Sequence, residues 1–391
     1  MIADRSGVPL MTPGSPGHQA RPPSAVRAVH GLLGRGRDLV AGLGTAAVGP
    51  GVAPSRRVTG AAEDRPGAGS GPGGDDGRAL GVGTHSRWAD LDGPVHYLDF
   101  GGPAGGPAVV CVHGLAGSAV NWSAIAPLLA GTCRMLAVDL PGHGLTRSQG
   151  RGTGVPAMHA LLHRFIETVP VGPVILAGNS MGGMISLLEA SAAPAAVAGV
   201  VLIGPVLPLV PAIPDHFVTP MLAAYAAPVL GPLLMRHRRR QSPEHLVDSI
   251  LSLCCADTSR VPGGVLAQHV TVARQALSLP RTEQEISASA RSMIAIFAGD
   301  LASGAYRRAI GSITCPVLLL HGRRDRLVPI AVARAAVRAN PAWTMIEMPG
   351  VGHVPQLEAP DDTASVIIGW LAAAGQTAAQ AASPASPGRP A

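Results

Sequence analysis

The chain has 391 residues, enough for one large domain or two smaller ones, and its 47% hydrophobic content is ample for a core although aromatics are only 3%. Its formal charge is +6, and there is no lysine, so arginine carries all the permanent positive charge. No basic stripe interleaved with aromatics accompanies that charge, which excludes nucleic acid as the expected partner; abundant Gly, Ala and Pro instead suggest a high-GC coding bias.

Five cysteines, Cys111, Cys133, Cys254, Cys255 and Cys315, are scattered and lack a Cys-x-x-Cys spacing. This argues against a disulfide framework or zinc site, and no metal or cofactor is expected; free thiols in a reducing compartment fit the pattern. The first residues lack the charged, apolar, small-residue order of a secretory signal, which points to a cytoplasmic chain. Two uncharged stretches, Ala190 to Pro214 and Phe217 to Met235, are punctuated by proline, which breaks a spanning helix. They read as an apolar insertion in a soluble protein.

In chain order, residues 1–85 are rich in Gly, Pro, Ala and Arg and are expected to be a disordered low-complexity tail. Within it, Ser24 to Val48 spaces Val26, Val29, Leu32, Leu33 and Leu39 among Arg27, Arg35 and Arg37. That spacing suits a basic amphipathic helix on a membrane surface, but its internal glycines favour a fluctuating tail. Strand-like segments follow at Val95–Phe100, Ala108–His113, Met135–Asp139, Val174–Ala177, Gly199–Ile203, Val317–His321 and Thr344–Glu347. Helix-like segments lie at Ser118–Ala130, Pro156–Val169, Met181–Ser191, Ile330–Ala339 and Asp361–Ala374. Short apolar strands alternating with helices predict an α/β fold, a mostly parallel sheet covered by helices on both faces. Residues 86–204 and 313–374 would form that core. Residues 205–312 break the alternation and are expected to be an inserted helical lid, and 375–391 a second disordered tail.

The chemistry centres on Gly178-Asn179-Ser180-Met181-Gly182, a Gly-x-Ser-x-Gly between an apolar strand and a helical segment. By composition alone about 0.4 such matches would arise in this chain, so the setting decides. Acyl transfer by serine needs a base, an acid to orient that base, and donors for the oxyanion. Parallel sheets bind ligands beyond the carboxyl ends of their strands, and four candidates sit there. Ser180 follows Val174–Ala177, Asp325 follows Val317–His321, and His353 follows Thr344–Glu347. The glycine-rich turn His113-Gly114-Leu115-Ala116-Gly117 follows Ala108–Val112. Asp325 has Arg323, Arg324 and Arg326 as alternative salt-bridge partners. The other position for an acid, after Gly199–Ile203, holds Gly204-Pro205 and no carboxylate.

With these motifs in that order, the chain resembles the α/β-hydrolase family, in its lidded group of esterases, carbon–carbon bond hydrolases and cofactor-free haloperoxidases. The resemblance covers roughly residues 87–374 and extends to Asn121-Trp122, Asp139-Leu-Pro-Gly-His-Gly144 and His353-x-Pro-x-x-Glu358. It implies Ser180 as nucleophile, His353 as general base and then acid, and Asp325 as the orienting carboxylate. It further implies the backbone N–H groups of Leu115 and Met181 as the oxyanion hole, with His113 and Gly114 shaping the supporting loop. His143, Asp139 and Glu358 are expected to be structural. The implied activity is hydrolysis of a carboxylic ester or related acyl bond through a Ser180 acyl-enzyme. A carbon–carbon bond hydrolase and a non-catalytic binding protein on the same fold remain open alternatives.

The insertion carries Met221, Leu222, Tyr225, Val229, Leu230, Leu233, Leu234 and Met235, which either pack on the sheet or line a lipophilic acyl pocket. Arg236-His237-Arg238-Arg239-Arg240 follows them. It reads as one basic turn, either solvated or docked peripherally on an anionic membrane.

Overall fold

The computed structural model describes residues 85–208, 218–238, 240–279 and 282–382. The expectations for the N-terminal tail, including Ser24 to Val48, fall outside this range. Eight strands form one sheet: β1 (Ser86–Asp90), β2 (Pro94–Gly101), β3 (Ala108–Val112), β4 (Arg134–Val138), β5 (Val174–Asn179), β6 (Val197–Ile203), β7 (Val317–Gly322) and β8 (Thr344–Met348). Their order is β1-β2-β4-β3-β5-β6-β7-β8. β2 pairs antiparallel with both β1 and β4, and every pairing from β4 to β8 is parallel.

Alternation within the central strands builds two cores. Val110, Val112, Leu136, Val138, Leu176, Leu202 and Leu319 point to one face. Val109, Cys111, Met135, Ala137, Ala177, Ile203 and Leu320 point to the other. A strand buried on both faces has this continuous apolar character.

The second face is covered by a 3-10 turn at Ala119–Trp122, by α1 (Ala126–Leu129), and by the terminal helix described below. The sequence suggested one continuous helix over Ser118–Ala130. Instead the Ser118–Asn121 capping box closes the first turn, and Pro127 starts a new short helix. The first face receives α2 (Val155–Thr168) and α3 (Met181–Ala192). Met158, Leu162 and Phe165 of α2 recur at helical spacing on its buried side.

Between β6 and β7 the described chain is helical: α4 (Val218–Ala226), α5 (Leu230–Arg238), α6 (Pro243–Cys254), α7 (Gly263–Ser278), α8 (Thr282–Ser303) and α9 (Ala305–Gly311). Then follow α10 (Ile330–Ala339), α11 (Pro355–Glu358) and α12 (Pro360–Ala382). The last helix thus runs past the boundary expected at 374. Among the described residues no helix is long and apolar enough to cross a membrane.

On α5 the apolar residues divide between two faces. Gly231 and Met235 are buried, whereas Leu230 and Leu233 are 46% and 54% exposed. Gly231 is required because a Cβ there would overlap the Tyr225 carbonyl oxygen, where α4 and α5 approach closely.

The core's dependence on α2 is testable. Phe165 is fully buried and meets Tyr97 edge-on, with ring centroids 5.3 Å apart. Phe165→Ala should lower the unfolding free energy in urea by about 3–5 kcal/mol; a loss under about 1 kcal/mol would show that α2 is not anchored this way.

Candidate active site

Ser180 occupies the single residue between β5 and α3, at φ 55° and ψ −119°. Positive φ is costly for a residue with a Cβ, so the surroundings must hold it. They do so through the backbone: Ser180 N–H donates to Ile203 O at 3.0 Å, and Ser180 O accepts from Gly183 N and Val206 N, both at 3.0 Å. The flanking glycines are needed for close approach. A Cβ on Gly178 would stand 2.5 Å from the Gly182 carbonyl oxygen, and one on Gly182 would overlap the Val112 carbonyl oxygen. The turn therefore wedges between the ends of β3 and β6 and holds the serine clear of the sheet.

His353 and Asp325 lie on loops after β8 and β7 and meet directly. His353 Nδ1–H donates to Asp325 Oδ2 at 2.7 Å, with both side chains buried. Asp325 Oδ1 accepts from Leu327 N at 2.8 Å and Val328 N at 2.9 Å. Burial by itself would raise the Asp325 pKa. The charge and hydrogen bond of His353, the nearby His321 and the Val328 N–H outweigh burial and hold the carboxyl below its ordinary value. Of the neighbouring arginines, Arg323 pairs with Glu347. Gly204, at the alternative acid position, lies against this pair: a Cβ there would be 3.0 Å from His353 Nδ1 and 3.2 Å from Asp325 Oδ2.

The His353 backbone is clamped from three sides. Its N–H donates to Cys254 O at 2.6 Å, and its carbonyl accepts from Asn179 Nδ2 at 3.2 Å. Glu358 Oε2 accepts from Gly352 N at 2.7 Å and from Ala256 N at 3.1 Å, tying the loop to the end of α6. Asn179 also donates to Ile203 O at 2.9 Å. Its amide links the residue before the serine to the histidine loop, a role its place in the Gly-x-Ser-x-Gly could have suggested. The Cys254 thiol is pushed up to about 12 by burial, so at neutral pH it remains protonated.

The glycine-rich loop is oriented by His113, which is fully buried. Its Nδ1–H donates to Gly114 O at 2.8 Å, and its Nε2 accepts from Leu140 N at 3.1 Å, so the partners define the tautomer. Gly117 N also donates to Gly114 O, at 3.0 Å. In a trans peptide C=O and N–H point oppositely, so fixing the Gly114 carbonyl fixes the Leu115 N–H. Gly114 lies beside Ser180, since a Cβ on it would be 3.0 Å from the serine Cβ. Among the described residues no turn hydrogen bond takes up the N–H of Leu115 or of Met181. Asp139 accepts from His96 Nδ1, Ala119 N and Leu145 N, and so binds three segments behind this loop.

A cavity of about 360 Å³ joins these parts, with Ser180, His353, Leu115 and Asn121 on its wall. The insertion supplies Met221, Leu222, Tyr225 and Met235. Val229, Leu230 and Leu233, which the sequence grouped with them, are exposed instead. The five-residue basic run also divides: Arg236 and Arg240 face solvent, whereas Arg238 turns onto Tyr225 and the cavity.

Against this geometry, comparison with known proteins identifies the family. The model described as "Alpha/beta hydrolase family" matches residues 109–366, and the chain belongs to that family. The chain is 31% identical over 280 residues to the magnesium-chelatase 30 kDa subunit of Rhodobacter capsulatus, covering 69% of this chain and 88% of that protein. It is 27% identical to the pimeloyl-[acyl-carrier protein] methyl ester esterase of Aromatoleum aromaticum, covering 67% and 96%. Among solved structures, a thermophilic esterase from Thermogutta terrifontis matches at 23% identity and TM-score 0.54, covering 73% of this chain and 97% of that one. Its likeness is one of fold.

His143 gives a pH test of the site's packing. It is buried, its Nδ1–H donates to Pro141 O at 3.1 Å, and burial lowers its pKa to about 3. The unfolded chain binds this proton near pH 6.5, so the folded state loses stability as pH falls through that interval. Between about pH 6 and 4 the wild type should lose about 1.4 kcal/mol per pH unit more than His143→Asn, which keeps a donor toward Pro141. Urea titrations with equal slopes for the two proteins would contradict this.

Proposed function

We propose that the chain is a serine hydrolase acting on a lipophilic carboxylic ester through a Ser180 acyl-enzyme. The observation that carries the reading is that His353, paired with the buried Asp325, lies on the same cavity as a serine held at positive φ. In this mechanism Ser180 Oγ attacks the ester carbonyl while His353 Nε2 takes its proton. Asp325 holds the Nδ1–H tautomer and stabilises the imidazolium that forms. The N–H groups of Leu115 and Met181 receive the carbonyl oxygen as it becomes an oxyanion, and each such donor contributes about 3 kcal/mol. Collapse expels the alcohol, which takes the proton from His353. Water then attacks the acyl-enzyme with His353 again as base, releasing the acid and restoring Ser180.

The apolar cavity wall supports a lipophilic substrate, as does 24% identity over 295 residues to the monoacylglycerol lipase of Homo sapiens, covering 72% of this chain and 82% of that protein. A second reading, a non-catalytic subunit of a larger assembly, draws on the relative named as a magnesium-chelatase subunit. The pairing of His353 with Asp325 on the cavity that holds Ser180 favours the enzyme.

A p-nitrophenyl ester series of increasing acyl length tests the proposal. Wild-type kcat/KM should rise from acetyl to medium chains, and Ser180→Ala should lower kcat by about 10³-fold or more. Turnover unaffected by Ser180→Ala would overturn the reading; activity confined to the shortest chains would overturn its lipophilic part.

A further inference from the structure

Among the described residues the cavity wall carries one permanent charge. Among the described residues that line it there is no aspartate or glutamate, and Arg238 is its one arginine. The remainder of the described wall is apolar or uncharged polar apart from three histidines: His353, and His143 and His269, whose pKa values burial lowers to about 3 and about 4, so that these last two are uncharged at neutral pH.

Among the described residues, Arg238 is held in place without a counter-ion. Its Cζ lies 5.6 Å from the Tyr225 ring centroid, and its Nη1–H donates to Tyr225 Oη at 3.1 Å. Stacking on an aromatic face and one hydrogen bond pre-orient a guanidinium while leaving most of its five donors available. Among the described residues no carboxylate pairs with Arg238, in contrast to Arg134, Arg274 and Arg334, which each meet an acidic side chain. A half-buried cation on an apolar wall has given up part of its hydration, which an anionic partner restores.

We propose that Arg238 is the anion-binding residue of the substrate site, and that the substrate is an amphiphilic ester carrying a singly charged oxyanion, a carboxylate or phosphodiester, at the end remote from the reacting carbonyl. This rests on the ester-hydrolase reading and narrows its substrate class. A single guanidinium balances a monoanion and undercompensates a phosphate dianion. The apolar body of the molecule lies along Met221, Leu222 and Met235, between Arg238 and Ser180. The arginine acts by binding and aligning the substrate; it takes no part in the chemical steps.

The test compares three p-nitrophenyl esters of matched length: a dicarboxylic acid hemiester, a chain ending in a methyl phosphodiester, and the neutral monocarboxylic ester. Arg238→Gln should lower kcat/KM on one or both anionic substrates by about 10- to 100-fold, the range of a lost charge-assisted pair, with less than about 3-fold change on the neutral ester. Arg238→Lys should recover part of the loss. Loss on the hemiester alone assigns a carboxylate, and loss on the phosphodiester alone assigns that group. Equal effects on all three esters, as a purely structural role for the stack would give, overturn the proposal, as does no effect on any.

Binding supplies a readout independent of turnover. In a Ser180→Ala background, calorimetry with laurate and with 1-dodecanol should show laurate alone weakened by Arg238→Gln. If wild type hydrolyses none of the esters, the ester reading fails, and the laurate comparison still decides the anion site: unchanged or equally weakened binding of both probes overturns it.

Discussion

Between β5 and α3 the chain must turn within a single residue, and Ser180 makes that turn with backbone dihedrals that a side chain disfavours. Such a conformation costs about 1–3 kcal/mol and persists because the neighbouring elements over-determine it. Ile203 and Val206 bond the serine backbone, and Gly178 and Gly182 bring strand and helix together. The same end of β6 supplies Gly204, which leaves room for His353 and Asp325. Strain at the turn and the meeting of histidine and aspartate are thus consequences of one packing arrangement, and the sheet order is what brings their loops together.

Much of this was legible in the sequence because it depends on local pattern. Continuous apolar runs marked the central strands, and the positions of Ser180, Asp325 and His353 after successive strands placed them at one edge of a parallel sheet. The edge strand β1 carries no such signal, since Ser86–Asp90 is short and only partly buried. Ser118–Ala130 has the spacing of one helix, but helical spacing alone does not register that Pro127 can begin a new one. Asn179 gave no signal beyond its place in the motif, because its partners, Ile203 and His353, are distant in sequence.

The insertion shows what periodicity leaves undetermined. Leu230, Leu233 and Met235 are equally apolar as letters, yet the helix turns Met235 inward and the leucines outward. Arg236 to Arg240 read as one basic turn, but Arg238 lies two residues, about 200° around the helix, from the exposed Arg236 and so faces Tyr225 and the cavity. Which side of α5 meets the cavity is fixed by the close approach at Gly231, a tertiary constraint. The edge that carries Ser180, Asp325 and His353 follows from the sheet, whereas the facing wall of the cavity follows from how the insertion packs on it.

The central claim is that Ser180 is a nucleophile activated by His353 and Asp325. Its most direct test is fluorophosphonate labelling of the full chain, followed by intact mass and peptide mapping. The account predicts one phosphonyl adduct on Ser180 in the wild type, none in Ser180→Ala, and strongly slowed labelling in His353→Ala. A folded wild-type protein that takes up no label, or an adduct that maps to another residue, would contradict it.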